Sequence, residues 1–170
     1  MLLILALGVA CQADQGTAAA DRTTGASKDK PLQYLLDKYL QPYPDELTVL
    51  ATPKDTAILA AMKAYNAGDY AAAIDLFPNF ARNYGQVGYI HLYKGISELL
   101  ADREYDAFAT FQLIRADQGK AFQISDWYLT MNYVGFNNVY EARRKLEAII
   151  ATKGYPLAEA QALLKALPQQ

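Results

Sequence analysis

Histidine and cysteine are the side chains most often recruited for nucleophilic, general-base and metal chemistry, and this chain has one of each, His91 and Cys11. That count excludes disulfide frameworks, Cys/His zinc sites and a Cys-His catalytic pair in the folded part. His91, early in a predicted helix with no second histidine to share a metal, reads as a surface or rim residue. Glu98 and Asp102 stand four apart, the spacing of one helix face. A general acid/base pair needs a pocket and shifted pKa values, and acidic residues dotted over every helix point to neither. Arg143-Arg144-Lys145 reads as a solvated outer face, with a phosphate or acidic-peptide contact as its alternative. No nucleophile elbow, phosphate loop or metal-ligand spacing occurs. No catalytic, cofactor-binding or metal-ligating residues are therefore expected, and an enzyme is the least favoured functional class.

With 170 residues, 52% hydrophobic and 20% charged, the chain can bury the core of one folded domain. Its 16 Lys plus Arg against 18 Asp plus Glu create no long-range field. Nucleic acid is not an expected partner.

The elements that must position any site follow from an internal repeat. Ala73, Ala107 and Ala142 are separated by 34 and 35 residues, and so are Phe77, Phe111 and Leu146, four places further on. Tyr65, Leu99 and Val134 keep the same register. Gly68-Asp69, Asp102-Arg103 and Asn137-Asn138 fall where a turn between two helices belongs. Twelve residues before each alanine stands another small residue: Ala61, Gly95 and Thr130. On a helix-turn-helix, the first small residue lets the second helix approach and the second sits at the crossing. The bulky residue one turn later is then expected to fill the space between hairpins. Such a unit cannot bury its faces alone, so about three must stack and be capped.

Apolar spacing and breakers predict helices over Pro53 to Ala67, with Thr52 as N-cap, and over Asp69 to about Asn83. The second pair spans Val87 to Ala101 and Glu104 to Asp117, and the third Ser125 to Phe136 and Val139 to Thr152. A capping helix follows over Pro156 to Leu167, with Leu157, Ala160, Leu163, Leu164 and Leu167 on one stripe. No run alternates with the two-residue period of a strand, so the fold class is all-α.

Residues 1–11 form a short apolar stretch ending in Gly8-Val9-Ala10-Cys11. About ten residues cannot span a bilayer, which needs roughly 20, and the stretch reads as an export signal. It resembles the lipobox of bacterial lipoproteins, which implies lipidation of Cys11 and a lipid-anchored protein of the cell envelope, facing the periplasm or the surface. Gly8 stands where Leu or Val is usual and no Lys or Arg precedes the run, so a soluble secreted or periplasmic protein, or a mistaken start, stays open. Residues 12–30, rich in Ala, Thr, Gly, Asp and Gln, are expected to form a flexible tether reaching about 25 Å. Residues 31–50 are then expected to form an N-terminal segment packing on or near the groove of the repeat domain, which occupies 51–170.

From Ala51 to about Ala151 the sequence resembles the tetratricopeptide repeat family, on Tyr65-x2-Gly68-Asp69-Tyr70-x2-Ala73-Ile74-x2-Phe77. It is similar in particular to Bacteroidetes members with a Pro-Tyr-Pro-Asn/Asp element before the first repeat. Here that element is Pro42-Tyr43-Pro44-Asp45, and a second shared block is Trp127-Tyr128-Leu129-Thr130-Met131-Asn132-Tyr133. Repeat 2 departs from the pattern at Glu98, where a tyrosine is usual, and at Arg103-Glu104. The resemblance implies a right-handed superhelix of about three hairpins with extra helices at both ends, a protein-interaction role and no catalytic residues.

It also implies that the first helix of each hairpin lines a groove for a protein or peptide. By register the groove positions are Ile58, Met62, Tyr65 and Asn66, then Tyr89, Leu92, Ile96 and Leu99, then Ile124, Trp127, Met131 and Val134. Ile58 and Met62 replace the Lys and Asn with which other family members clamp a C-terminal carboxylate, so that binding mode is not expected. A face this apolar would exceed the few hundred Å² that monomers tolerate. Two occupants compete. One is the chain's own segment before the repeats, with its stripe of Leu32, Leu35, Leu36, Tyr39 and Leu40; the other is a partner's amphipathic helix or extended segment. The functional expectation is a scaffold for a protein partner, with an assembly subunit of an envelope complex or homo-oligomer as the alternative.

Overall fold

Three backbone turns carry the repeat into three dimensions. Gly68, Asp102 and Asn137 all adopt positive φ, at 77°, 57° and 55°. Each donates its N–H to the carbonyl three residues back, and the following N–H reaches the carbonyl five residues back: Asp69 to Ala64 at 3.0 Å, Arg103 to Glu98 at 2.8 Å, Asn138 to Tyr133 at 2.8 Å. This double closure satisfies carbonyls that a helix end leaves unpaired and reverses the chain within a few residues. The next residue starts the following helix. Asp69 and Asn138 accept the N–H groups of Ala72 and Glu141 on their side chains. Arg103 has no acceptor and pairs with Asp106 instead.

A fourth turn of the same kind ends the third hairpin, where Lys153 has φ 51° and the Gly154 N–H bonds the Ile149 carbonyl at 2.8 Å. The left-handed conformation costs a side chain with a Cβ about 1 kcal/mol, and lysine has no short polar group to offset it. Lys153→Gly is expected to raise stability by about 1 kcal/mol, seen as a thermal midpoint a few degrees higher.

The computed structural model describes residues 31–78 and 84–169, so the signal stretch, Cys11 and the tether lie outside the described residues. The helices are α1 (Gln33–Tyr39), α2 (Thr56–Asn66), α3 (Tyr70–Leu76), α4 (Tyr84–Leu100), α5 (Glu104–Phe111), α6 (Lys120–Gly135), α7 (Val139–Ala151) and α8 (Leu157–Ala166). Single 3₁₀ turns lie at Thr48–Leu50 and Ala116–Gln118, and no strand occurs among the described residues. The fold is all-helical. Helices α2 and α3, α4 and α5, and α6 and α7 pair as hairpins; α3 packs on α4, α5 on α6, and the first helices contact one another in series. Helix α8 covers α7, and α1 packs on α6 and α8.

The small residues sit at the crossings. Ala61, Ala73, Ala107, Thr130 and Ala142 have no exposed surface. A methyl group on Gly95 would lie 2.6 Å from Cε1 of Phe111, well inside contact distance. In the second hairpin the bulky residue thus packs within its own hairpin, against the small residue of the first helix, and not only between hairpins. The same ring also reaches the next hairpin, stacking on Tyr128 at 6.2 Å between centroids.

Several helix ends differ from expectation for local reasons. Helix α2 begins at Thr56, not Pro53, because the Asp55 carboxylate accepts both the N–H and the hydroxyl of Thr52 at 2.8 Å. Pro53 therefore sits in a turn and Thr52 is a donor, not a cap. Helix α3 stops at Leu76, since Pro78 lacks an N–H and pushes Phe77 into an extended conformation, φ −63° and ψ 127°. Helix α5 stops at Phe111, where 3₁₀ bonds from Leu113 and Ile114 tighten the chain before an extended Arg115. Helix α6 starts five residues early, at Lys120, directly after Gly119 with φ 57°.

Candidate functional site

The face shared by α2, α4 and α6 carries the N-terminal segment. After α1 the chain turns extended and passes over the first helices, and three tyrosines, one from each of them, hold it by its backbone. Tyr128 donates to the Gln41 carbonyl at 2.8 Å, Tyr65 to the Tyr43 carbonyl at 2.9 Å and Tyr93 to the Pro44 carbonyl at 2.6 Å. The Glu46 N–H donates back to the Tyr93 hydroxyl at 2.7 Å. Prolines at 42 and 44 supply no N–H, so this stretch offers mostly acceptors, and hydroxyl donors suit it.

Apolar contacts complete the closure. Tyr43 packs edge-on against Tyr155 at 5.5 Å and tilted on Tyr93 at 6.2 Å; Tyr93 also meets Tyr65 edge-on at 5.1 Å. Leu32, Leu35, Leu36, Tyr43 and Leu47 belong to the same buried core as the hairpins, and Leu47 has no exposed surface. Burial first, then the bond to Glu46, pushes the Tyr43 hydroxyl up to about 12. Burial also raises Tyr65, Tyr93 and Tyr128 far above the ordinary tyrosine range, so these donors stay protonated.

Two carboxylates pin the end of the arm. Glu46 accepts from Lys120, from the Tyr43 hydroxyl at 2.9 Å and from Tyr89 at 3.4 Å. The bond from Lys120 lowers its pKa against the opposing effect of burial. At Asp45 burial acts upward, yet bonds from the Thr48 hydroxyl and N–H and from Asn66 together outweigh it, and the pKa is lowered. Carboxyls with depressed folded-state pKa values contribute stability at neutral pH that is lost as pH falls through those values. The arm's attachment is therefore expected to weaken below roughly pH 4, measurable as acid unfolding that Glu46→Gln and Asp45→Asn make less steep.

Ten of the twelve groove positions expected from sequence are buried: Ile58, Met62, Tyr65, Leu92, Ile96, Leu99, Ile124, Trp127, Met131 and Val134. They do not form an open face. The other two lie at its margin and touch the arm, exposed Asn66 through Asp45 and half-buried Tyr89 through Glu46. Two residues that organise the site, Tyr93 and Tyr128, were not among those expected, although they stand 35 apart, in the repeat register, beside Leu92 and Trp127. That spacing was the available signal.

The residues singled out for chemistry are dispersed. Asp102 leaves the helix at its turn, while Glu98 points into the packing between α4 and α5, 3% exposed, with one carboxylate oxygen lacking a hydrogen-bond partner. Burial raises the Glu98 pKa, offset in part by its bond to Thr110. An acid with a raised folded-state pKa destabilises progressively as pH climbs through that value and costs nothing once protonated in both states. Glu98→Gln is expected to stabilise by about 1 kcal/mol at neutral pH, with no difference from the parent below the ordinary glutamate range, in parallel urea titrations. Burial, then Lys94, lowers the pKa of half-buried His91. The basic run is not a free patch. Arg143 donates to the Leu167 and Pro168 carbonyls at the end of α8, Arg144 pairs with Glu141, and Lys145 with Asp126.

Among the described residues there is no cluster of three or more His, Cys, Asp or Glu side chains placed to hold a metal, and no helix long and apolar enough to cross a membrane. No protein-family model matches the chain, and no curated protein or solved structure matches it at a significant level.

Proposed function

We propose that the chain is a non-catalytic scaffold for protein–protein interaction, built of tetratricopeptide-like hairpins and held at the bacterial cell envelope by a lipid on Cys11. One observation carries this reading: the polar groups that converge on the face of the first helices, the hydroxyls of Tyr65, Tyr93 and Tyr128, are all engaged by the chain's own backbone. The face that stacked repeats usually offer to a ligand is thereby filled by the chain's own segment, which leaves the remaining surface of the hairpins for a partner. A partner that had to displace the arm would need to uncover Leu35, Leu36, Tyr43 and Leu47, each worth about 1.5–3 kcal/mol of burial. Recognition therefore falls on surface that the arm leaves open.

Photo-reactive residues placed one at a time at exposed positions of the three hairpins, in cells making the full chain, test the reading. Adducts to a different protein at contiguous positions support it. Adducts only between copies of the chain would replace it with an assembly subunit, and no adducts at any position would remove both. An unmodified Cys11 thiol, found by mass spectrometry of the membrane fraction, would remove the anchor alone.

A further inference from the structure

Among the described residues, the two most exposed aromatic side chains of the hairpins occupy one repeated position. Tyr105 is 82% and Tyr140 63% exposed, 35 residues apart, each the second residue of its helix. Neither hydroxyl has a partner among the described residues. Half-buried rings continue from Tyr105 between hairpins two and three: Tyr105 lies 4.9 Å from Phe136, Phe136 6.2 Å from Phe108, and Phe108 5.8 Å from Tyr133, while Tyr140 stands four residues beyond Phe136, past the turn at Asn137. Arg144, held by Glu141 at 2.8 Å, stands on the same helix as Tyr140, four residues on.

The size of this edge selects its occupant. At about 200 Å² per ring, the two exposed tyrosines present roughly 300 Å², and the three half-buried rings add at most about 200 Å². A stable protein–protein interface takes about 800 Å² from each side, so a second copy or a folded domain is poorly matched and a short segment well matched. The chemistry selects further, because this chain already holds an extended Pro42-Tyr43-Pro44 stretch by tyrosine hydroxyls on its carbonyls and rings against its side chains. The edge offers outward what Tyr65, Tyr93 and Tyr128 offer inward.

We propose that the aromatic edge of Tyr105, Phe108, Tyr133, Phe136 and Tyr140 docks an extended proline-rich segment of a partner protein, with the two free tyrosine hydroxyls donating to its carbonyls. Polyproline conformation is preformed and loses little entropy on docking, which suits a small site. The proposal rests on the scaffold reading and names the class of its ligand.

The test titrates the full chain with a blocked proline decamer, a Gly/Ser decamer of equal length and a soluble cello-oligosaccharide, following the aromatic NMR signals. Saturable binding of the proline peptide alone is expected, weakened at least tenfold in Tyr105→Ser/Tyr140→Ser. Tyr105→Phe/Tyr140→Phe, which keeps the rings, should lie between them. All variants should keep the parent's thermal midpoint, since both side chains are exposed. No binding of the proline decamer, equal binding by the serine variant, or tyrosine-dependent binding of the oligosaccharide would each overturn the proposal. Cross-linked partners found without proline-peptide binding would leave the scaffold standing and remove only the ligand class.

Discussion

Leu47→Ala is expected to destabilise the protein by about 2–5 kcal/mol, as much as a substitution inside any of the hairpins. Leu47 lies in the arm, before the first repeat, yet it has no exposed surface and belongs to the common core. A decorative arm would give a value near zero, because surface substitutions stay within about 0.5 kcal/mol. Tyr93→Phe should cost less, about 1–3 kcal/mol, by leaving the Pro44 carbonyl and the Glu46 N–H without their partner. A chain starting at Ala51 should fail to unfold as a single cooperative transition and should self-associate, since the face it uncovers is among the most apolar in the molecule. Urea unfolding of the two variants and size-exclusion chromatography of the shortened chain check all three.

Gly95→Ala is expected to lower stability by about 1–3 kcal/mol, against the sign that helix propensity alone would give. Alanine in a helix interior is favoured over glycine by about 1 kcal/mol, so an exposed Gly95 would make this substitution stabilising. The difference is Phe111, whose ring carbons lie 2.6–2.9 Å from the new methyl position and whose ring also stacks on Tyr128. Moving the fully buried ring aside would disturb that stack. Two controls separate this mechanism from a general fault in the helix. Gly135→Ala, whose nearest neighbours would be 3.7 Å away, should be neutral or slightly stabilising. Phe111→Leu should be destabilising alone yet restore part of the loss when combined with Gly95→Ala, a coupling that a double-mutant cycle reads directly.

The hairpins were legible because their signals are local and periodic. The alanines at 73, 107 and 142 mark crossings, and the turns at 68, 102 and 137 recur in the same left-handed conformation although the residues there are Gly, Asp and Asn. Periodicity fixes where helices lie but not where they stop. Pro78 ended α3 early, and Asp55 delayed α2 by folding back on Thr52. The apolar character of the shared face was readable, and so was the need for something to cover it. What covers it is held through contacts that span 22 to 87 residues of sequence, from Tyr65 to the Tyr43 carbonyl and from Tyr128 to the Gln41 carbonyl. A hydroxyl meeting a distant carbonyl leaves no pattern in composition or spacing. Only the recurrence of tyrosine at 93 and 128 hinted at it, and the hint names a donor without its acceptor.

The fixed seating of the arm has one direct measure, native-state hydrogen exchange at the Glu46 amide, whose N–H is given to Tyr93 across the shared face. An arm that is part of the core should release this proton only when the whole domain unfolds, with a protection factor close to those of the slowest amides in α4 and the same dependence on urea. Exchange of Glu46 at the rate of an unprotected loop, while α4 stays protected, would show that the arm lifts by itself and that the face beneath is open to other ligands.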